Sequence, residues 1–210
     1  KEKVIIGYHG NKQHLDAMVD TSRALDELTQ VYNIELRAIY NIKKLGRWKR
    51  NVPKRCPVKH IQWSEDALVA NLKECDIGIV PSVLPVGSFG RILARPLRSL
   101  VRFFNPEGYN RKDYLLRFKP SNNPGRIYVY AQLHIPVVAD FTPSACELIK
   151  DENSGYLVGT TTGWYCALKQ LIESHEKRAT LSSNLTQSIA LNYAIDTTFT
   201  RFTHFLHSIV

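Results

Sequence analysis

The sequence predicts an α/β fold, a parallel sheet covered by helices on both faces, and three observations carry that expectation. Short runs rich in valine and isoleucine alternate along the chain with stretches of helical spacing. The runs end in turn-forming residues, as in His9-Gly10-Asn11 and Pro81-Ser82. The chain has 210 residues and is 44% hydrophobic, enough to bury a core without disulfide staples. Alternation of this kind leaves ligands to the carboxyl ends of the strands.

In chain order, Lys3 to Tyr8 reads as a buried strand feeding a glycine turn. Leu15, Met18, Val19, Ser22, Leu25 and Leu28 then fall at helical spacing, with Asp16, Asp20 and Asp26 on other faces. Ile34 to Tyr40 and Val58 to Trp63 are further strands, Glu65 to Glu74 a helix, and Asp76 to Val80 a strand stopped by Pro81. From Val83 to Lys119 the rhythm gives way to a basic, proline-containing insertion. It resumes with a helix over Pro124 to Leu133, a strand over Ile135 to Ala139, a short helix over Ser144 to Lys150 and a strand over Tyr156 to Val158. Helices over Gly163 to Ser174 and Glu176 to Asn192 follow. No repeat or linker divides the chain, so residues 1–210 are expected to form one domain carrying an insertion at about 83–119.

A formal charge of +9 favours an anionic partner: a phosphate-bearing ligand, a membrane surface or nucleic acid. Cys56, Cys75, Cys146 and Cys166 show no paired spacing and no zinc-site pattern, which predicts four buried, reduced thiols and a cytoplasmic setting. No metal site is expected, because the histidines show no ligand spacing. The sequence shows no signal peptide and no long apolar run. It opens on Lys1 and enters a strand at once, so a cut from a longer polypeptide is expected.

The stretch from Lys119 to Val158 is the most informative. It reads KPSNNPGRIYVYAQLHIPVVAD, then SACELIKDENSGYLV. The start of the Pro124 helix, with Ser121, Asn122 and Asn123 before it, offers backbone N–H groups and a positive dipole end to a diphosphate. Lys119 and Arg126 flank it as candidate counter-charges. An ordinary Asn or Ser N-cap is the alternative. The stretch resembles the sugar-nucleotide-binding half of the GT-B glycosyltransferases of the retaining family 4 type. The likeness lies in Arg126-Ile127-Tyr128-Val129-Tyr130, Pro136-Val137-Val138-Ala139, Glu147-Leu148-Ile149 and Gly155-Tyr156-Leu157-Val158. The first strand and its His9-Gly10-Asn11 turn resemble the opening of the same half-domain.

The resemblance implies a single Rossmann-like domain, as in one half of a GT-B fold, that binds the donor for sugar transfer to a glycan or lipid-linked acceptor. It implies no cofactor beyond the nucleotide-sugar substrate and an N-terminal acceptor domain lying outside this chain. Gly10, Asn11, Lys119, Ser121, Asn122, Asn123, Arg126 and Glu147 are the donor-binding candidates, and no catalytic residue is assigned. One departure stands out. Two glutamates frame this loop and helix in the family, the second binding ribose, and the corresponding positions here are Ser121 and Val129. A degenerate, non-catalytic binding module is therefore a second reading.

Two basic segments complete the candidates. Arg91, Arg95, Arg98 and Arg102 recur at helical spacing beside Leu97, Val101 and Phe104, which fits attachment to an anionic membrane or a solvated arginine face. Trp48 lies among Arg47, Lys49, Arg50, Lys54 and Arg55, either an exposed loop or a base-stacking cluster. A nucleic-acid-binding domain, resting on this cluster and the net charge, is the third reading, but no recognisable nucleic-acid-binding motif accompanies them and no nucleic-acid partner is expected.

Overall fold

A computed structural model describes residues 3–82 and 123–208. The insertion at about 83–119, with Lys119, Ser121, Asn122 and the arginine stripe Arg91, Arg95, Arg98 and Arg102, lies outside the described residues.

The strands are β1 (Val4–His9), β2 (Ile34–Tyr40), β3 (Val58–Gln62), β4 (Ile77–Val80), β5 (Val137–Asp140) and β6 (Tyr156–Val158). They form one sheet in the order β3-β2-β1-β4-β5-β6, and every pairing is parallel. The expected parallel α/β architecture is thus the observed one. The chain winds outward from β1 to β3 and then, from β4, outward on the other side. The order therefore reverses between β1 and β4.

Strand residues alternate between two apolar layers, as the period-two geometry of a strand requires. Ile6, Tyr8, Leu36, Ala38, Tyr40, Ile77, Ile79 and Val138 join one cluster, and Ile39, Val80, Val137 and Ala139 the other. Helices α1 (Lys12–Ala17), α2 (Val19–Leu28) and α7 (Thr161–Glu173) cover the first face through Leu15, Leu25, Leu28, Trp164, Leu168 and Leu171. Helices α4 (Glu65–Leu72), α5 (Gly125–Gln132), α6 (Pro143–Leu148) and α8 (His175–Tyr193) cover the second through Leu72, Ile127, Tyr130, Leu148 and Leu185. Two further helices, α3 (Ile42–Leu45) and α9 (Ile195–Ser208), have no counterpart in the sequence reading.

Several expectations need correction. The single helix spanning Leu15 to Leu28 is two helices, broken at Met18 (φ −78°, ψ 55°). The break is held from outside: Asn51 Nδ2 donates to the Asp16 carbonyl, and Ser22 Oγ donates to the Asn51 carbonyl. The same loop buries Trp48, which is only 2% exposed and donates its indole N–H to the Arg50 carbonyl. Trp48 is core, so it stacks no base. The thiols are all free, but Cys146 and Cys166 are exposed and only Cys56 and Cys75 are buried. Cys146 sits on the outer side of α6, and Cys166 on the side of α7 opposite Trp164, Leu168 and Leu171.

Candidate functional site

The carboxyl edge of the sheet gathers the ends of β1 and β4 and the start of α5 around Arg126. β1 ends at His9, and Gly10 turns the chain at φ +137°. A β-carbon at Gly10 would lie 3.1 Å from the Tyr8 hydroxyl and 3.2 Å from Arg126 Cδ, so glycine is needed both for conformation and for close approach. Asn11 follows as the N-cap of α1, its side-chain oxygen accepting from Gln13 N at 3.0 Å. Its carbonyl accepts from the Tyr8 hydroxyl at 2.7 Å, which ties the turn to the buried end of β1.

From the other side of the reversal, Arg126 donates to the Pro81 carbonyl at 3.1 Å and to Ser82 Oγ at 2.8 Å. Its guanidinium carbon lies 5.8 Å from the centre of the Tyr8 ring. These bonds use two of the five guanidinium donors, and no carboxylate pairs with it among the described residues. Asp140, at the end of β5, holds Ser82 in place: its carboxylate accepts from the Ser82 N–H at 2.7 Å and from Trp164 Nε1 at 3.2 Å. Ser82, Asp140 and His9 are absent from the sequence-based candidates. The turn signal at Pro81-Ser82 marks the loop, but nothing in the sequence pairs it with Asp140 or Arg126.

The start of α5 differs from the expected open row of donors. Pro124 is the N-cap rather than the first helical residue, and Asn123 Oδ1 accepts the Gly125 N–H at 2.8 Å. Asn123 thus makes a local turn that occupies the first helical N–H, its short amide folding back on its own backbone. Gly10 and Arg126 are brought together, with Asn11 and Asn123 one and three residues from them in sequence. Glu147 lies exposed on α6, its backbone carbonyl accepting from the Tyr193 hydroxyl, and no described contact links it to Arg126. Val129 is half-buried and packs against the second apolar cluster.

His9 is buried in the site, as Ser82 and Asp140 are. Burial first, and then the Arg126 guanidinium, push its imidazole pKa down to about 4. The ring meets Tyr130 edge to face at 5.1 Å. Tyr130 in turn donates to the Gly7 carbonyl at 2.8 Å, crossing the sheet where β1 and β4 meet. Burial likewise holds the Tyr8 and Tyr130 hydroxyls in their neutral forms by raising their pKa values.

A groove of about 380 Å³ opens at the opposite, amino-terminal edge, between Cys75, Asp76, His134, His175 and Arg178. It does not coincide with the expected site. Arg178 is already committed there, donating to the Leu171 carbonyl at 2.8 Å and lying 3.8 Å from Asp76. The carboxyl edge keeps a cation without an acidic partner among the described residues and is where parallel α/β sheets bind ligands. Among the described residues no group of three or more His, Cys, Asp or Glu side chains converges as a metal site requires. No described helix is long and apolar enough to cross a membrane.

A six-stranded parallel sheet in this order, with its loop cluster at the reversal, is the fold of the C-terminal half of a GT-B glycosyltransferase. Among solved structures, the chain is similar to the C-terminal domain of the glycosyl transferase group 1 family protein LpcC from Francisella tularensis. That match has a TM-score of 0.55 at 13% identity and covers 91% of this chain and 87% of that one. Anabaena HepE in complex with UDP and glucose matches at a TM-score of 0.63 and 15% identity, over 98% of this chain and 48% of HepE. TarM of S. aureus, in a complex that includes UDP, matches at 0.62 and 10% identity, over 97% of this chain and 36% of TarM. The chain therefore spans about half of HepE and about a third of TarM. No protein-family model and no curated protein matches the sequence.

Proposed function

We propose that this chain binds a nucleotide-diphosphate sugar at the carboxyl edge of its sheet and serves as the donor half of a glycosyltransferase acting on a glycan or lipid-linked acceptor. The observation that carries the reading is the position of Arg126, a cation with no acidic partner among the described residues, clamped to the end of β4 and facing the Gly10 turn of β1, at the point where strand order reverses. That is where doubly wound sheets take nucleotides. The complexes of HepE with UDP and with UDP-glucose support it by likeness of fold.

In this reading the remaining Arg126 donors meet the diphosphate, and Gly10 lets the ligand approach the backbone. Lys119, Ser121 and Asn122 are assigned to the same ligand on the sequence pattern. Transfer would need charge stabilisation of the departing nucleoside diphosphate rather than a covalent nucleophile. The acceptor is assigned to a separate N-terminal half. Peripheral attachment through the Arg91–Arg102 stripe belongs to the same proposal and predicts salt-sensitive sedimentation with anionic liposomes.

Calorimetric titration with UDP-, GDP- and CDP-sugars tests the reading. One of them should bind the wild type, and Arg126→Ala should weaken that ligand about 10- to 100-fold, as for a lost charged hydrogen bond. Equal affinity in the variant, or no binding by the wild type, removes Arg126 or the donor reading respectively. Val129 favours a second reading, a non-catalytic module: a valine packed on the core has no acceptor for ribose. Binding without any transfer, when the chain is joined to its acceptor half, would decide for it.

A further inference from the structure

His9 closes β1 beside Arg126 and is 7% exposed, yet its Nε2 has no hydrogen-bond partner among the described residues. Burying a polar nitrogen unpaired is unfavourable, so a site that keeps one has a use for it or a partner still to arrive. Nδ1 is not stranded in this way: among the two ring nitrogens only Nε2 is buried without a partner, so the ring proton is assigned to Nδ1. Burial and the neighbouring guanidinium keep the imidazole neutral, leaving a single proton on the ring. Nε2 is then a bare lone pair, a pure acceptor.

We propose that His9 Nε2 accepts a hydrogen bond from a hydroxyl of the bound nucleotide sugar, supplying the acceptor that Val129 does not. This inference rests on the donor-binding reading. The chemistry selects the partner. An ionised diphosphate has no proton to donate, and a base edge differs among nucleotides. The hydroxyls of ribose and of the transferred sugar are donors that every nucleotide sugar carries. A pure acceptor buried beside a diphosphate-binding arginine therefore reads a hydroxyl, and it discriminates against ligands lacking one, since the nitrogen would remain unpaired. The neighbouring Tyr130 ring packs edge to face against the imidazole and holds its plane, so the lone pair is oriented before ligand arrives.

The test has a ligand-free and a ligand-bound arm. Nitrogen-15 spectra of the imidazole should show His9 protonated on Nδ1 and bare on Nε2 from pH 8 to 6; a proton on Nε2 overturns the proposal. Adding UDP or UDP-glucose should move the Nε2 resonance in the direction of hydrogen-bond acceptance. A resonance that ignores a ligand shown to bind means that only a buried water or nothing meets the nitrogen, and the assignment fails.

Calorimetry then names the hydroxyl. Wild type should prefer UDP over 2′,3′-dideoxy-UDP about tenfold if ribose is read, or UDP-glucose over its deoxy-sugar analogues about tenfold if the sugar is read. His9→Phe, which keeps a flat ring and no acceptor, should abolish one of those preferences. His9→Asn, which retains a carbonyl acceptor, should keep part of it. Identical preferences in wild type and His9→Phe overturn the proposal, and if that variant fails to fold the spectra of the wild type decide. A wild type that binds neither UDP nor UDP-glucose defeats the donor reading itself, an outcome distinct from bound ligand with an unmoved His9.

Discussion

Asp140 does at the residue scale what no element does alone. One buried carboxylate takes the Ser82 N–H and the Trp164 indole, linking the ends of β4 and β5 to α7, and Ser82 then positions Arg126. Asp140→Ala strands two buried donors and should cost about 2–4 kcal/mol in urea denaturation, with weaker nucleotide binding as Arg126 loses its seat. His9 makes a pH prediction. Its folded pKa of about 4 lies below the ordinary 6.5, so the unfolded chain binds the proton more readily. Stability contributed by the neutral ring is intact above pH 6.5 and is lost as pH falls towards 4, with a slope approaching about 1.4 kcal/mol per pH unit. His9→Phe should flatten much of the stability decline between pH 6.5 and 5 measured by urea titration. His60, whose pKa is lowered by burial and by Arg47, contributes in the same sense and remains in that variant.

At the scale of elements, α5 sits on the sheet through a glycine and a tyrosine. The Tyr130 ring occupies the space above Gly78 so closely that a β-carbon there would lie 2.6 Å from it. Gly78→Ala should therefore cost at least about 2 kcal/mol by overpacking, because the ring is pinned by its hydroxyl bond to Gly7 and cannot retreat. Tyr130→Ala in the same chain should recover part of the lost fit, and a double-mutant cycle by chemical denaturation measures the coupling. The strands were legible because each is a β-branched run bounded by turn residues, and their edges moved by only a residue or two. The break between α1 and α2 was not legible. Leu15 to Leu28 keeps helical spacing throughout, and the interruption is set by Asn51, more than thirty residues away. Trp48 departs from its expected exposure for a similar reason: its cationic neighbours predict a loop in solvent, while Tyr40 Oη takes its backbone N–H and the core takes its ring.

At the scale of the whole molecule, α9 adds a face with no place in the two-layer core. Phe199, Phe202, Phe205 and Leu206 are 66%, 56%, 60% and 41% exposed. Replacing the three phenylalanines with serine should leave the melting temperature within a degree or two while raising solubility, since little buried area is lost; a large drop would mean that they pack in solution. By itself the sequence determined the alternation of strand and helix, the parallel sheet that follows from it, and the likeness to a donor-binding half-domain. These are consequences of local spacing and of turn residues adjacent in the chain. It also marked Gly10 and Arg126, through a glycine turn and a motif. That these two face each other, and that Asp140, Ser82 and His9 gather beside them, depends on contacts between distant parts of the chain. Arg126 and Ser82 are separated by 44 residues, and Asp140 and Ser82 by 58. Contacts at such separations form when crossover connections return strands side by side, and hydrophobic periodicity records which face a residue shows, not which partner it meets.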